Sequence, residues 1–96
     1  MSSAGHGTDF NWQGQKVLVT GASGFKGSWL CGILVNLGAE VYGTVRNRIH
    51  PESPYELLDL HDEIVEASAD ISDRQQVFDL INSIQPTVIF HLAAKA

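Results

Sequence analysis

The chain has 96 residues, 44% hydrophobic and 18% charged, a globular balance that excludes disordered, collagen-like and low-complexity architectures and leaves room for one domain at most. Six Lys and Arg against eleven Asp and Glu give a formal net charge of -5, and the densest basic cluster is the pair Arg46 and Arg48, so neither a nucleic acid nor an anionic membrane is an expected partner. One cysteine, Cys31, excludes an intramolecular disulfide and a thiolate metal cage, which fits a reducing compartment.

Met1 to Phe10 is polar, with no basic stretch leading into an apolar run, so it reads as neither a signal peptide nor a membrane anchor. A cytoplasmic protein is the expectation. Residues 1–11 lack periodicity and read as a flexible lead-in, with the domain spanning 12–96. Lys16 to Thr20 (KVLVT) is a β-branched apolar run that predicts a strand buried on both faces. Leu30, Ile33, Leu34 and Leu37 recur at i, i+3, i+4 and i+7, which predicts one helix face, and Gly38 supplies the stop. A second strand is expected at Glu40 to Val45, followed by a polar loop carrying Arg46, Asn47, Arg48 and Pro51.

Ser53-Pro54-Tyr55-Glu56 has the form of a capping box with proline at the first helical position, so a short helix is expected to carry Leu57, Leu58 and Leu60. Ile64 to Ala69 predicts a third strand. Ser72 with Gln75 forms another capping box, and Val77, Leu80, Ile81 and Ile84 trace a helical stripe that ends before Pro86. Thr87 to Leu92 (TVIFHL) predicts a fourth, strongly apolar strand. Strands alternating with helices imply right-handed crossovers and a parallel sheet, the doubly wound α/β class of Rossmann type.

The strongest chemical signal is Thr20-Gly21-Ala22-Ser23-Gly24-Phe25-Lys26-Gly27, between the first strand and the first long helix. In that setting the first glycine permits a tight turn, the second lets backbone approach a pyrophosphate, and the third lets helix and strand pack closely. The helix start then offers unpaired N–H groups and partial positive charge to the phosphates. A Walker loop is excluded by order, because Lys26 precedes Gly27 and Ser28. Lys26 reads equally as a pyrophosphate neighbour or as a solvated lysine.

After the second strand stands Val45-Arg46-Asn47-Arg48, with no carboxylate before Glu52. An acidic residue there accepts from a ribose 2′-hydroxyl, whereas an arginine suits a 2′-phosphate, so NADP is favoured over NAD with Arg46 as the contact, against two solvated loop arginines. Asp70 is placed to accept from an adenine amino group, while Asp73 is explained by the helix dipole.

TGASGFKG, the ADIS segment and the ending HLAA together resemble the extended short-chain dehydrogenase/reductase superfamily, which includes nucleotide-sugar epimerases and dehydratases. FNWQGQK followed by GFKGSWL looks most like the CDP-glucose 4,6-dehydratases, and Gly43-Thr44-Val45-Arg46 is more similar to the GDP-mannose 4,6-dehydratases. The former are NAD enzymes and the latter use NADP. Lys95 departs from the pattern, standing where many of these enzymes have glutamine.

The resemblance implies that Gly21, Gly24 and Gly27 line the pyrophosphate and that Phe25 and Lys26 contribute backbone at the same turn. It further implies that Arg46 borders the adenosine ribose, Asp70 and Ile71 the adenine, and that Leu92, Ala93 and Ala94 pass beside the cofactor. It implies a nucleotide-sugar substrate, a homodimer, and a Tyr-x-x-x-Lys pair in which lysine lowers the tyrosine pKa. No such pair stands in these 96 residues: Tyr42 precedes Arg46 by four and Tyr55 precedes Asp59 by four. His91 reads as a strand residue tucked into the sheet end and not as a base, Cys31 as a small buried hydrophobe, and His6, His50 and His61 have no ligand spacing. The expectation is therefore the cofactor-binding piece of a longer 4,6-dehydratase, inactive alone. The alternatives are an epimerase or reductase of the same superfamily, or a stand-alone dinucleotide-binding module.

Overall fold

Val17, Leu18 and Val19 are all fully buried, and two-sided burial is what drives this run to the middle of a parallel sheet. The computed structural model describes residues 10–45 and 52–92. In it β1 (Lys16–Thr20), β2 (Glu40–Thr44), β3 (Val65–Ala67) and β4 (Val88–His91) form one four-stranded sheet in the order β3-β2-β1-β4, with every pair parallel. Leu18 lies opposite Tyr42 on one side and Ile89 on the other. The strand order therefore reverses between β1 and β4, which opens a crevice at their carboxyl ends.

The first helix, α1 (Phe25–Asn36), connects β1 to β2, and α3 (Arg74–Ile84) connects β3 to β4. Right-handed crossovers moving in opposite directions along the sheet put these helices on opposite faces. Val17, Val19, Val41, Cys31 and Leu34 form the core on the α1 side, closed by Tyr55, Leu60 and Ile64. Leu18, one residue out of phase, points to the α3 side. Trp12 stacks on Phe90 with ring centroids 6.3 Å apart and meets Phe10 edge-on at 4.7 Å, so packing already includes a residue of the expected lead-in.

The buried face of α1 differs from the expected one. Gly27, Ser28, Cys31 and Leu34 face inward, whereas Ile33 and Leu37 are 56% and 46% exposed. Small residues win this face for a steric reason: a Cβ on Gly27 would stand 2.0 Å from the Gly21 carbonyl oxygen, so the helix start rests directly on the preceding loop. That contact turns Ile33 and Leu37 outward and leaves only Leu34 of the apolar set fully inside. Gly38, with φ +89°, ends the turn after the helix, as its position implies.

Ser53 caps the short helix α2 (Pro54–Leu57), its hydroxyl accepting from the Glu56 N–H at 3.4 Å. Tyr55 and Leu60 carry the burial here, while Leu57 and Leu58 are exposed. The Tyr55 hydroxyl donates to Glu66 and ties α2 to β3. β3 itself is shorter than the expected run, consistent with an edge strand that pairs only with β2. The cap of α3 is Asp73, one residue later than the expected Ser72: its carboxylate accepts from the Gln75 and Gln76 N–H groups at 3.0 and 3.4 Å. Gln85, with φ +55°, closes that helix by donating its N–H to the Ile81 carbonyl at 2.7 Å.

Leu34→Ala is expected to cost about 2–5 kcal/mol of unfolding free energy and Ile33→Ala less than about 0.5 kcal/mol, measured by urea denaturation; equal losses would restore the expected face. Burial pushes the Cys31 thiol up to about 12. At pH 8 the native chain is therefore expected to resist iodoacetamide and the urea-unfolded chain to be alkylated readily, followed by mass spectrometry.

Candidate functional site

The loop from Gly21 to Gly24 leaves β1 at the carboxyl edge of the sheet, beside the strand-order reversal. Gly21 has φ +80°, a left-handed conformation that favours glycine. Its N–H donates to the Thr44 hydroxyl at 2.8 Å, and the next N–H, that of Ala22, donates to the Thr44 carbonyl at 2.8 Å. The Ser28 hydroxyl donates to the Ala22 carbonyl at 3.0 Å, and the Gly24 N–H donates to the Gly21 carbonyl at 3.0 Å. These four bonds tie the turn to the end of β2 and to the first turn of α1.

The opposite side is open. Gly24 caps α1 with no side-chain hydrogen bond, and no acidic residue stands in the first turn. The N–H groups of Phe25, Lys26 and Gly27 have no intrahelical acceptor, and the helix contributes about half a positive charge at this end. A Cβ on Gly24 would come 3.3 Å from the Gly21 carbonyl oxygen. The result is a cradle of backbone donors at the helix start, a chemistry that fits the pyrophosphate of a dinucleotide. The Phe25 and Lys26 side chains are exposed, and both residues bring a backbone N–H to the cradle.

The other expected residues share this edge to different degrees. Asp70 follows β3 and is exposed; its carboxylate accepts from the Ser72 N–H at 3.0 Å and the Ser72 hydroxyl at 2.6 Å. Those two bonds hold its carboxyl below the usual carboxylate range. Ile71 is half-buried and, with Val77, Phe78, Ile81 and His91, lines a groove of about 350 Å³. The Leu92 N–H donates to the Thr20 carbonyl at 3.1 Å, placing the start of the last segment beside the glycine loop. Arg46, Ala93 and Ala94 lie outside the described residues, as do Arg48, His6 and His50.

His91 is exposed, unlike the expected tucked residue, although its Nδ1 lies 2.8 Å from the buried Thr20 hydroxyl oxygen. Tyr42 and Tyr55 donate to Glu40 and Glu66, and both phenols are pushed up from their ordinary value, Tyr42 first by its hydrogen bond and Tyr55 first by burial. That is the opposite of what a phenolate base needs. Among the described residues no group of three or more His, Cys, Asp or Glu is arranged to hold a metal ion. Sequence reasoning missed Thr44, Ser28 and Gly43. A Cβ on Gly43 would stand 2.5 Å from the Ala22 Cβ, and a glycine inside a strand is the signal that a close approach leaves. Nothing local marks Thr44.

The two glycine contacts set an order of tolerance. Gly27→Ala is expected to lower stability by about 1–3 kcal/mol in thermal melts, and Gly24→Ala by clearly less, since its tight contact at 3.3 Å needs only a small shift of the neighbour. The reverse order would contradict the seating of α1 on the loop.

A family model described as GDP-mannose 4,6 dehydratase matches residues 18–96. The chain is 38% identical to a CDP-glucose 4,6-dehydratase of Salmonella typhimurium over 84 residues, covering 88% of the chain and 23% of that protein. It is 40% identical to cinnamoyl-CoA reductase 1 of Petunia hybrida over 83 residues, covering 84% of the chain and 24% of that protein. It superposes on the Bordetella bronchiseptica enzyme WbmH, solved in complex with NAD+, with TM-score 0.69 and 30% identity over 88% of the chain and 27% of WbmH. It thus spans about a quarter of the length of each of these relatives. With its parallel sheet, its glycine cradle and a family match over most of its length, the chain belongs to the GDP-mannose 4,6-dehydratase family of the extended short-chain dehydrogenases/reductases.

Proposed function

We propose that this chain is the dinucleotide-binding part of a nucleotide-sugar 4,6-dehydratase and binds NAD or NADP, with NADP favoured. The observation that carries the reading is the uncapped start of α1 held against the Gly21 carbonyl at the strand-order reversal. The Salmonella relative is named as a CDP-glucose 4,6-dehydratase and WbmH was solved with NAD+, which supports both the substrate class and the cofactor class.

When bound, the dinucleotide supplies a site for transient hydride storage. The chain's own part is to hold it. The N–H groups of Phe25, Lys26 and Gly27 would hold the pyrophosphate, and Gly21, Gly24 and Gly27 would keep side chains out of its way. Asp70 would accept from an adenine amino group beside Ile71, its carboxylate oriented by its two bonds from Ser72. The proposal also assigns Leu92, Ala93 and Ala94 to the cofactor's flank and gives Arg46 the role of holding a ribose 2′-phosphate, Arg46, Ala93 and Ala94 lying outside the described residues. With no Tyr-x-x-x-Lys pair in its 96 residues, the chain is assigned binding and no turnover of its own. The nucleotide sugar and homodimer formation belong to the full-length enzyme, which the proposal places in the cytoplasm. Among the described residues no helix is long and apolar enough to cross a membrane.

A second reading, a reductase of the same superfamily, is favoured by the 40% identity to the cinnamoyl-CoA reductase. Both readings use the same cradle, and assay of the full-length enzyme with nucleotide sugars and with acyl-CoA thioesters separates them.

Calorimetric titration with NADP+ and NAD+ tests the cofactor assignment. NADP+ is expected to bind more tightly, and Arg46→Ala is expected to weaken NADP+ by roughly 3- to 10-fold while leaving NAD+ within about twofold, the size of one charge-assisted contact. Unchanged NADP+ affinity in Arg46→Ala would remove the phosphate role from that residue.

A further inference from the structure

We infer that Thr44 is a positioning residue for dinucleotide binding, its hydroxyl holding Gly21 of the glycine loop in register with the end of β2. The inference rests on the dinucleotide reading of the cradle and adds to it a residue outside the glycine motif.

Thr44 makes two different bonds to consecutive residues of the loop. Its side-chain oxygen accepts from the Gly21 N–H, and its main-chain carbonyl accepts from the Ala22 N–H, each at 2.8 Å. It is 5% exposed, so water does not readily replace either acceptor. The neighbouring residue tightens the same junction, since a Cβ on Gly43 would meet the Ala22 Cβ at 2.5 Å and Ile64 Cδ1 at 2.9 Å. The end of β2 is therefore a mould against which the loop is cast by one steric window and two hydrogen bonds.

Only one of the two bonds depends on the identity of the side chain. Any residue at position 44 offers the carbonyl to Ala22, whereas the bond to Gly21 needs a hydroxyl. Gly21 is the residue at φ +80°, and its carbonyl is the surface on which Gly27 rests and to which Gly24 donates. Loosening its N–H thus frees the peptide that sets the height and tilt of the α1 start, and with it the direction of the cradle donors. Thr44 is also followed by Val45 and then Arg46, so the same residue joins the adenosine side of the proposed site to the pyrophosphate side.

The test compares wild type, Thr44→Val and Thr44→Ser in the purified chain, reading NADP+ affinity by calorimetry and amide exchange at Gly21 and Ala22 by NMR. In Thr44→Val the Gly21 N–H is expected to exchange about tenfold faster or more while Ala22 keeps its protection, and the NADP+ dissociation constant is expected to rise about three- to tenfold. Thr44→Ser is expected to restore both to within about twofold, which a purely packing role would not do. If Thr44→Val does not fold, as judged by circular dichroism, Thr44→Ala takes its place in the same comparison. Wild-type affinity in the hydroxyl-free variant, or failure of serine to rescue, overturns the Thr44 role and leaves the dinucleotide reading standing. A wild-type chain that binds neither NADP+ nor NAD+ overturns both.

Discussion

The seating of Gly27 on the Gly21 carbonyl is the contact on which the rest of this structure depends. With 2.0 Å between that oxygen and the place a Cβ would occupy, no side chain fits, and the helix start is fixed relative to β1 by backbone against backbone. One consequence is local: the inward face of α1 is set by the small residues Gly27, Ser28 and Cys31 and only then by Leu34. A second is electrostatic, because the first turn of α1, uncapped and without acidic side chains, is aimed along the edge where the strand order reverses. A third is mechanical. The loop that carries the contact is gripped from behind by Thr44 and Ser28, so its donors are oriented before any ligand arrives.

Preorganisation of this kind explains why the cradle contains almost no side-chain chemistry. Backbone N–H groups recognise an anion without selecting among its substituents, which suits a pyrophosphate shared by NAD and NADP. The proposed assignment leaves selection to side chains, those of Asp70 and of Arg46, the latter outside the described residues. Asp70 shows the same principle on a smaller scale, its carboxylate held in an Asx-type turn by both polar groups of Ser72.

Much of the fold was legible because its signals are local. KVLVT, the glycine triplet and the Ser53-Pro54 cap each lie within a few residues of what they determine, and the strands and helices stand in the predicted order. The face of α1 was not legible from hydropathy, since Leu30, Ile33, Leu34 and Leu37 are together far more apolar than Gly27 and Ser28, which are buried. A contact distance, not hydrophobicity, decides that face. Asp73 displaced Ser72 as the cap of α3 because Ser72 is already engaged with Asp70. Tyr55, one of only two tyrosines, proved to be a core residue whose hydroxyl reaches Glu66, a partner eleven positions away. Within the candidate site the glycines could be read from spacing alone, but Thr44 could not, because its bond to Gly21 joins residues 23 positions apart.

An α1 start that cradles an anion with backbone N–H groups shows itself when the isotopically labelled chain is titrated with NADP+ and every backbone amide is followed by NMR. The largest shift changes are expected at Gly24, Phe25, Lys26 and Gly27, with a second group at Asp70 to Ser72. Saturable binding that moves the amides around the α3 and β4 groove and leaves Gly24 to Gly27 unchanged would contradict such a cradle.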